Sequence, residues 1–117
     1  MNAEEFYALV GGNYELIKGR RWDTDKVKRF VKLFLGDESY TQLQAALESG
    51  DVDAAFNAAH TLKGVSANIA FTKLQASVSA VTEALRAKDL EQGRQLNSTV
   101  VEDYAKTIET IKQFLAE

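Results

Sequence analysis

The chain has 117 residues, of which 45% are hydrophobic and 26% are charged, and its 14 basic and 17 acidic residues leave a net charge of −3. This length suffices for one small domain with a single core. Because the sequence has 0 Cys and 1 His, it excludes disulfide frameworks, thiolate metal sites, cysteine nucleophiles and sites that need two imidazoles. With 0 Pro, no ring interrupts a long helix, so a mainly helical domain is expected.

The N-terminal residues lack the basic region and the long apolar run of a secretory signal. No apolar stretch approaches the roughly 20 residues that a membrane-spanning helix needs. We therefore expect a soluble, cytoplasmic protein.

Glycine-containing breaks separate the first three predicted helices. The first runs from Ala3 to Val10, and the second from Tyr14 to about Lys18. In the third, Thr24 is the expected N-cap and Gly36 the end. The apolar residues of this third helix follow at helical spacing: Val27, Phe30, Val31, Phe34 and Leu35.

The fourth predicted helix opens at Asp37 or Glu38 and ends at a Ser-Gly pair. Asp51 is the expected N-cap of the fifth, which runs to about Asn68 or Ala70. The fourth helix follows the third after a short break, so these two helices are predicted to form an antiparallel hairpin.

Thr72 is the expected cap of the sixth helix, and Lys88-Asp89 breaks the chain before a last helix of about 26 residues. Almost no alternation typical of strands is present. The pattern predicts an all-α protein, an antiparallel helix bundle with short connections.

On a helical wheel, the fifth helix has one apolar arc and one polar face, and His60 lies roughly 170° from the centre of the arc. The single imidazole is therefore predicted to face solvent. The arc contains Ala55, Ala58, Leu62, Val65 and Ile69, with Ala59 and Ser66 at its border.

A solvated surface histidine is the simplest explanation, but the neighbours of His60 favour a function. Gly64 follows one turn later, although glycine costs about 1 kcal/mol relative to alanine inside a helix. The missing side chain would let a phosphoryl group and its carrier approach the ring. Lys63, three residues after His60, can reach the phosphate oxygens. A neutral imidazole is a nucleophile without a dedicated base.

The run from Ala59 to Ile69, AHTLKGVSANI, resembles the signature of histidine-containing phosphotransfer (HPt) domains, which carry His-x-x-Lys-Gly on an exposed face of a four-helix bundle. The resemblance implies a four-helix bundle of the HPt type with extra short N-terminal helices. It implies one HPt-like domain over residues 1–117, in which residues 1–22 form an N-terminal helical cap and residues 23–117 form the bundle.

By the same resemblance, His60 is the phosphoacceptor, Lys63 stabilises the phosphate and Gly64 gives clearance. The partners implied are a receiver domain of a response regulator, a histidine kinase, or both, and the docking surface surrounds the histidine. On this chain the docking residues would be Phe56, Asn57, Ala67, Asn68 and Phe71. The family has a glycine where this chain has Ala70, and because alanine disfavours left-handed backbone, the helix is expected to extend or turn differently there.

Two other functions compete with phosphotransfer. A helical adaptor could keep the signature without being phosphorylated. Nucleic-acid binding through the basic runs 18–21 and 26–29 is disfavoured, because the net charge is negative and a solvated helix face explains these residues. Since no phosphate-binding loop is present, the chain is not expected to phosphorylate itself from ATP. We expect a monomer without a cofactor, a metal site, nucleic acid or a membrane partner.

Overall fold

The computed structural model describes residues 1–117, and every regular element in it is helical, which confirms the all-α prediction. The helices are α1 (Ala3–Val10), α2 (Tyr14–Gly19), α3 (Thr24–Leu35), α4 (Ser39–Ser49), α5 (Val52–Asn68), α6 (Thr72–Arg86) and α7 (Leu90–Leu115). α5 packs against α4 and α6, and α7 packs against α6 and also contacts α4. These four helices therefore enclose a common interior. None of the seven helices has both the length and the apolar character needed to cross a membrane.

Side-chain caps fix where most of the helices begin. Asp51 accepts a hydrogen bond from the backbone N–H of Ala54 at 3.0 Å, as predicted for the start of α5. The N-cap prediction for α3 was wrong by one residue. Asp23 accepts from Lys26 N–H at 2.8 Å, and Thr24 is the first helical residue.

The prediction that Thr72 caps α6 was also wrong. Phe71 occupies the N-cap position and makes no side-chain cap bond, while Thr72 is the first residue of the helix. The Thr72 hydroxyl instead donates to the carbonyl oxygen of Gly11 at 3.1 Å, because α1 ends directly beside this turn. The last helix has 26 residues, as predicted, and begins after Asp89.

A continuous cluster of 25 buried residues contains side chains from α1 to α7. Aromatic rings connect its parts. Phe6 of α1 stacks on Phe114 of α7 with centroids 4.3 Å apart, and Phe71 meets Phe34 of α3 edge-on at 5.2 Å. The N-terminal helices thus share the core with the four helices that follow α3.

Hydrogen bonds attach the N-terminal helices to the end of α5. The Tyr7 hydroxyl donates to the carbonyl of Ile69 at 2.9 Å, and the backbone N–H of Asn13 donates to the carbonyl of Ala70 at 2.9 Å. Burial raises the pKa of the Tyr7 phenol well above its ordinary value, and the positive charge of Arg20 opposes this only in part. The end of the helix that carries His60 is therefore fixed by the part of the chain most distant from it in sequence.

Ala70 contradicts the expectation drawn from its side chain. It adopts the left-handed conformation with φ +59°, so α5 ends at the place where a glycine would end it. The N–H of Ala70 bonds to the carbonyl of Ala67, and the N–H of Phe71 bonds to that of Ser66, which is the Schellman pattern. The strain of about 1–2 kcal/mol is sustained because these bonds and the bond from Asn13 all require this turn.

Candidate phosphotransfer site

The burial pattern of α5 places His60 on the solvent side. Within the predicted arc, Ala55, Ala58, Leu62 and Ile69 are buried, as expected, whereas Val65 is only half-buried. Both border residues are fully buried, so the core face is rotated slightly toward Ala59 and Ser66. His60 is exposed, as predicted for the face opposite the core.

Open space lies above Gly64, one turn after His60. A Cβ atom placed on Gly64 would meet no atom within 4 Å. The case of Gly93 is different, because a Cβ there would come within 2.9 Å of Leu85 and the close approach of α6 and α7 explains that glycine. Packing within the chain gives no reason for Gly64, and its effect is to leave the surface beyond His60 low.

The His60 ring lies against an aromatic ring of the preceding turn. Phe56 and His60 have centroids 5.9 Å apart and ring planes inclined by 15°, an offset stack. The guanidinium carbon of Arg86, the last residue of α6, lies 5.0 Å from the Phe56 centroid. Arg86 is also paired with Glu83 at 3.1 Å. This row of contacts was not predictable from the sequence, because Arg86 lies on another helix.

The predicted docking residues separate into two groups. Asn57 and Asn68 are exposed, and Phe56 and Ala67 are half-buried, so all four lie at the surface of α5. Phe71 has 0% exposure and packs among the rings of Phe6, Tyr7 and Phe34. The prediction that Phe71 contacts a partner was therefore wrong, because a side chain in the core cannot reach another protein.

A family model, the Hpt domain, matches residues 35–116, which include α4, the His60 helix, α6 and all of α7. The chain belongs to the Hpt family. The Hpt domain implies involvement in a phosphorelay, in which such domains interact with receiver domains and kinases. Comparisons with curated proteins and with solved structures gave no match.

An apolar groove that the sequence did not predict lies partly within the Hpt-matched region. Its volume is about 530 Å³, and it lies between α3 and the C-terminal end of α5. Trp22 and Phe30 stack in its wall with centroids 4.4 Å apart, and Leu33 is 69% exposed. The other lining residues are Arg20, Phe34, Asp37, Val65, Asn68 and Ile69.

The groove lies where the N-terminal segment meets the polar face of α5. The guanidinium of Arg20 donates to the carbonyl of Asn68 at 2.6 Å. Phe30 and Leu35, two of the apolar residues at helical spacing on α3, are 36% and 38% exposed. A signal was present in the sequence, because the apolar residues of α3 cover more of its circumference than one buried face needs. Nothing in the sequence alone showed which side would stay uncovered.

No group of three or more His, Asp or Glu side chains lies close enough together in the Hpt protein to hold a metal ion.

Proposed function

We propose that this Hpt protein is a phosphorelay intermediate. His60 accepts a phosphoryl group from a receiver-domain aspartate or a kinase relay and passes it to the receiver domain of a response regulator. The observation that carries the proposal is the exposed imidazole of His60, with open space above Gly64 and Lys63 on the same helix three residues later. A phosphoryl group and its carrier can reach the His60 nucleophile there without rearrangement of the chain.

The proposed transfer requires the protein mainly to position the reacting groups and to offset their charge. The unprotonated ring nitrogen of His60 attacks phosphorus, a P–N bond forms, and the P–O bond to the donor carboxylate breaks, so that the donor leaves as a free aspartate. The reverse sequence delivers the group to the next receiver. Lys63 offsets the negative charge on the phosphoryl oxygens. Any divalent metal would belong to the partner, and ATP is not a substrate.

A receiver domain would dock around His60 on the surface residues of α5, which are Phe56, Asn57, Ala67 and Asn68. The apolar groove supports a wider contact, because Val65 and Asn68 belong both to its wall and to α5. Exposed aromatic and aliphatic side chains beside a polar face are typical of transient interfaces. We further propose one domain, a cap of residues 1–22 on a bundle of residues 23–117, which is monomeric and cytoplasmic.

The decisive experiment is phosphotransfer from a panel of labelled receiver domains. The wild-type chain should gain an acid-labile and alkali-stable label from at least one receiver, as expected for a phosphoramidate bond. His60→Gln should abolish the label. A labelled His60→Gln variant would contradict the site assignment. If no receiver in a broad panel transfers label, while direct binding to a receiver is measured, the helical adaptor would replace the relay function.

Docking through the groove has a separate test. Leu33→Asp changes a side chain that is mostly in solvent, so the fold should be retained. The receiver concentration for half-maximal transfer should rise about tenfold while the maximal rate is kept. Leu9→Asp is the matched control, because Leu9 of α1 is 52% exposed and lies outside the groove. Equal effects of the two variants on transfer would show that the groove is not part of the docking surface.

A further inference from the structure

The exposed imidazole of His60 is held by its neighbours rather than by a hydrogen bond of its own. The side-chain hydrogen bond nearest to it on α5 joins the Thr61 hydroxyl to the carbonyl of Asn57. The ring contact is with Phe56, one turn earlier, at 5.9 Å between centroids and 15° between planes. Helical side chains lean toward the N-terminus, so this is the side on which a restraint on the His60 ring must lie.

Phe56 is itself fixed from two sides. It is half-buried and packs against the core cluster, and the Arg86 guanidinium lies 5.0 Å from its ring centroid. Arg86 is in turn paired with Glu83 on α6. A ring anchored in this way offers a flat surface of defined orientation, whereas a flexible aliphatic side chain at the same position would not.

We infer that Phe56, held by Arg86, is a positioning residue for His60. The stack restricts the rotation of the imidazole before any partner arrives, so that the plane of the ring has the same orientation at each encounter with a phosphoryl donor. Preorganisation of this kind removes the entropic cost of ordering the side chain during the reaction. The inference rests on the proposed function for its chemical meaning, but the restraint is a property of the free protein and can be measured there.

The first test is nuclear magnetic resonance on the unphosphorylated chain. The wild type should show a nuclear Overhauser effect between the ring protons of Phe56 and His60, and ring-current shifts of the His60 protons. In Phe56→Leu, which keeps an apolar side chain, the His60 shifts should move to the values of a free imidazole. Phe56→Tyr should restore them. The absence of the ring-to-ring effect in the wild type would overturn the inference, whatever the chain does in a relay.

The second test uses phosphoramidate, a small donor that needs no docking surface. Its P–N bond breaks, ammonia leaves, and the phosphoryl group forms a P–N bond to the imidazole. Phe56→Leu should lower the labelling rate about threefold to tenfold, the value of one ordered side chain. Phe56→Tyr should recover the rate. Arg86→Gln should give a smaller change in the same direction.

An unchanged labelling rate in a folded Phe56→Leu variant would contradict the positioning role. Failure of the proposed function gives a different result, namely no transfer from receivers while the ring-to-ring effect and the ring-current shifts persist. A residue that acts only in docking would likewise alter transfer from receivers and leave the phosphoramidate reaction as it was.

Discussion

In the proposed function, single residues beside His60 decide whether a phosphoryl group can be accepted there. Lys63 is half-buried and supplies positive charge on the helix that carries the proposed acceptor. Gly64 supplies space, since nothing lies within 4 Å of the position of its missing Cβ. The two residues therefore contribute by different means, charge and access, and their variants should differ in stability.

Lys63→Ala should slow transfer from a receiver about 10- to 100-fold, the range for one hydrogen bond from a charged donor in the transition state. Its free energy of unfolding should stay within about 0.5 kcal/mol of the wild type, because Lys63 lies off the core face. Rapid-quench phosphotransfer and urea denaturation measure the two quantities. Lys106→Ala, an exposed lysine of α7, is the control. Equal rates for the two variants would refute the role of Lys63.

Gly64→Ala should make the protein more stable and less active. The free energy of unfolding should rise by about 1 kcal/mol, because alanine is favoured over glycine in a helix and the Cβ meets no neighbour. Transfer from receivers should be slower, since a methyl group occupies the clearance next to His60. Gly19→Ala is the matched control, as its Cβ is also unobstructed. An active, stabilised Gly64→Ala would show that access does not explain this glycine.

At the level of the helices, the α1–α2 connection packs against the end of α5 and determines the shape of the turn that borders the candidate site. Gly12 lies against this end, so closely that a Cβ on it would come within 2.7 Å of the Ala70 carbonyl and would also meet the Tyr7 ring. Ala70 is held in its left-handed conformation at the same place. The turn after α5 therefore depends on a segment more than fifty residues earlier in the chain.

Gly12→Ala should lower the free energy of unfolding by about 1–3 kcal/mol, because backbone and a buried ring must move to admit one methyl group. Urea denaturation followed by circular dichroism measures the change. Gly36→Ala provides a comparison, since its Cβ would make an ordinary contact at 3.5 Å. Similar stabilities for the two variants would mean that the α1–α2 connection is not packed against the end of α5.

For the molecule as a whole, one buried and two half-buried tyrosines couple stability to alkaline pH. Burial raises the pKa of Tyr7, and it also raises the pKa of Tyr40 and Tyr104, which stack on each other with centroids 3.7 Å apart. The charge of Asp37 adds to the rise for Tyr104. In each case the folded chain keeps a proton that the unfolded chain loses above about pH 10.

These tyrosines should therefore leave the free energy of unfolding unchanged below about pH 10. Above that pH, the free energy of unfolding should fall as the pH rises. Each tyrosine that keeps its proton adds a slope of up to about 1.4 kcal/mol per pH unit. Tyr7→Phe should flatten the decline and, because the hydrogen bond to Ile69 is lost, should cost about 1 kcal/mol at neutral pH. Chemical denaturation between pH 8 and about 11 tests this. Identical slopes for variant and wild type would exclude Tyr7 as a source.

The sequence by itself determined the helices and the direction in which His60 points. Both follow from local rules, since caps such as Asp51 and the spacing of Ala55, Ala58 and Leu62 act within a few residues. The N-cap predicted for α3 was wrong by one residue. Asp23 and Thr24 are both good cap residues, and only the contact of Thr24 with α1 shows which of them is the cap. The motif from His60 to Gly64 was likewise identified from residues that are close together in the sequence.

Only the tertiary structure decided the surroundings of that motif. Phe71 lies in the core, and Ala70 adopts a left-handed conformation. Trp22 and Leu33 line an open groove, and Arg86 contacts the ring of Phe56. Each result depends on residues from different helices, and the energy of packing them exceeds the preference of any one side chain. Sequence periodicity specifies which face of a helix is apolar, but only packing against the other helices determines how much of that face becomes covered.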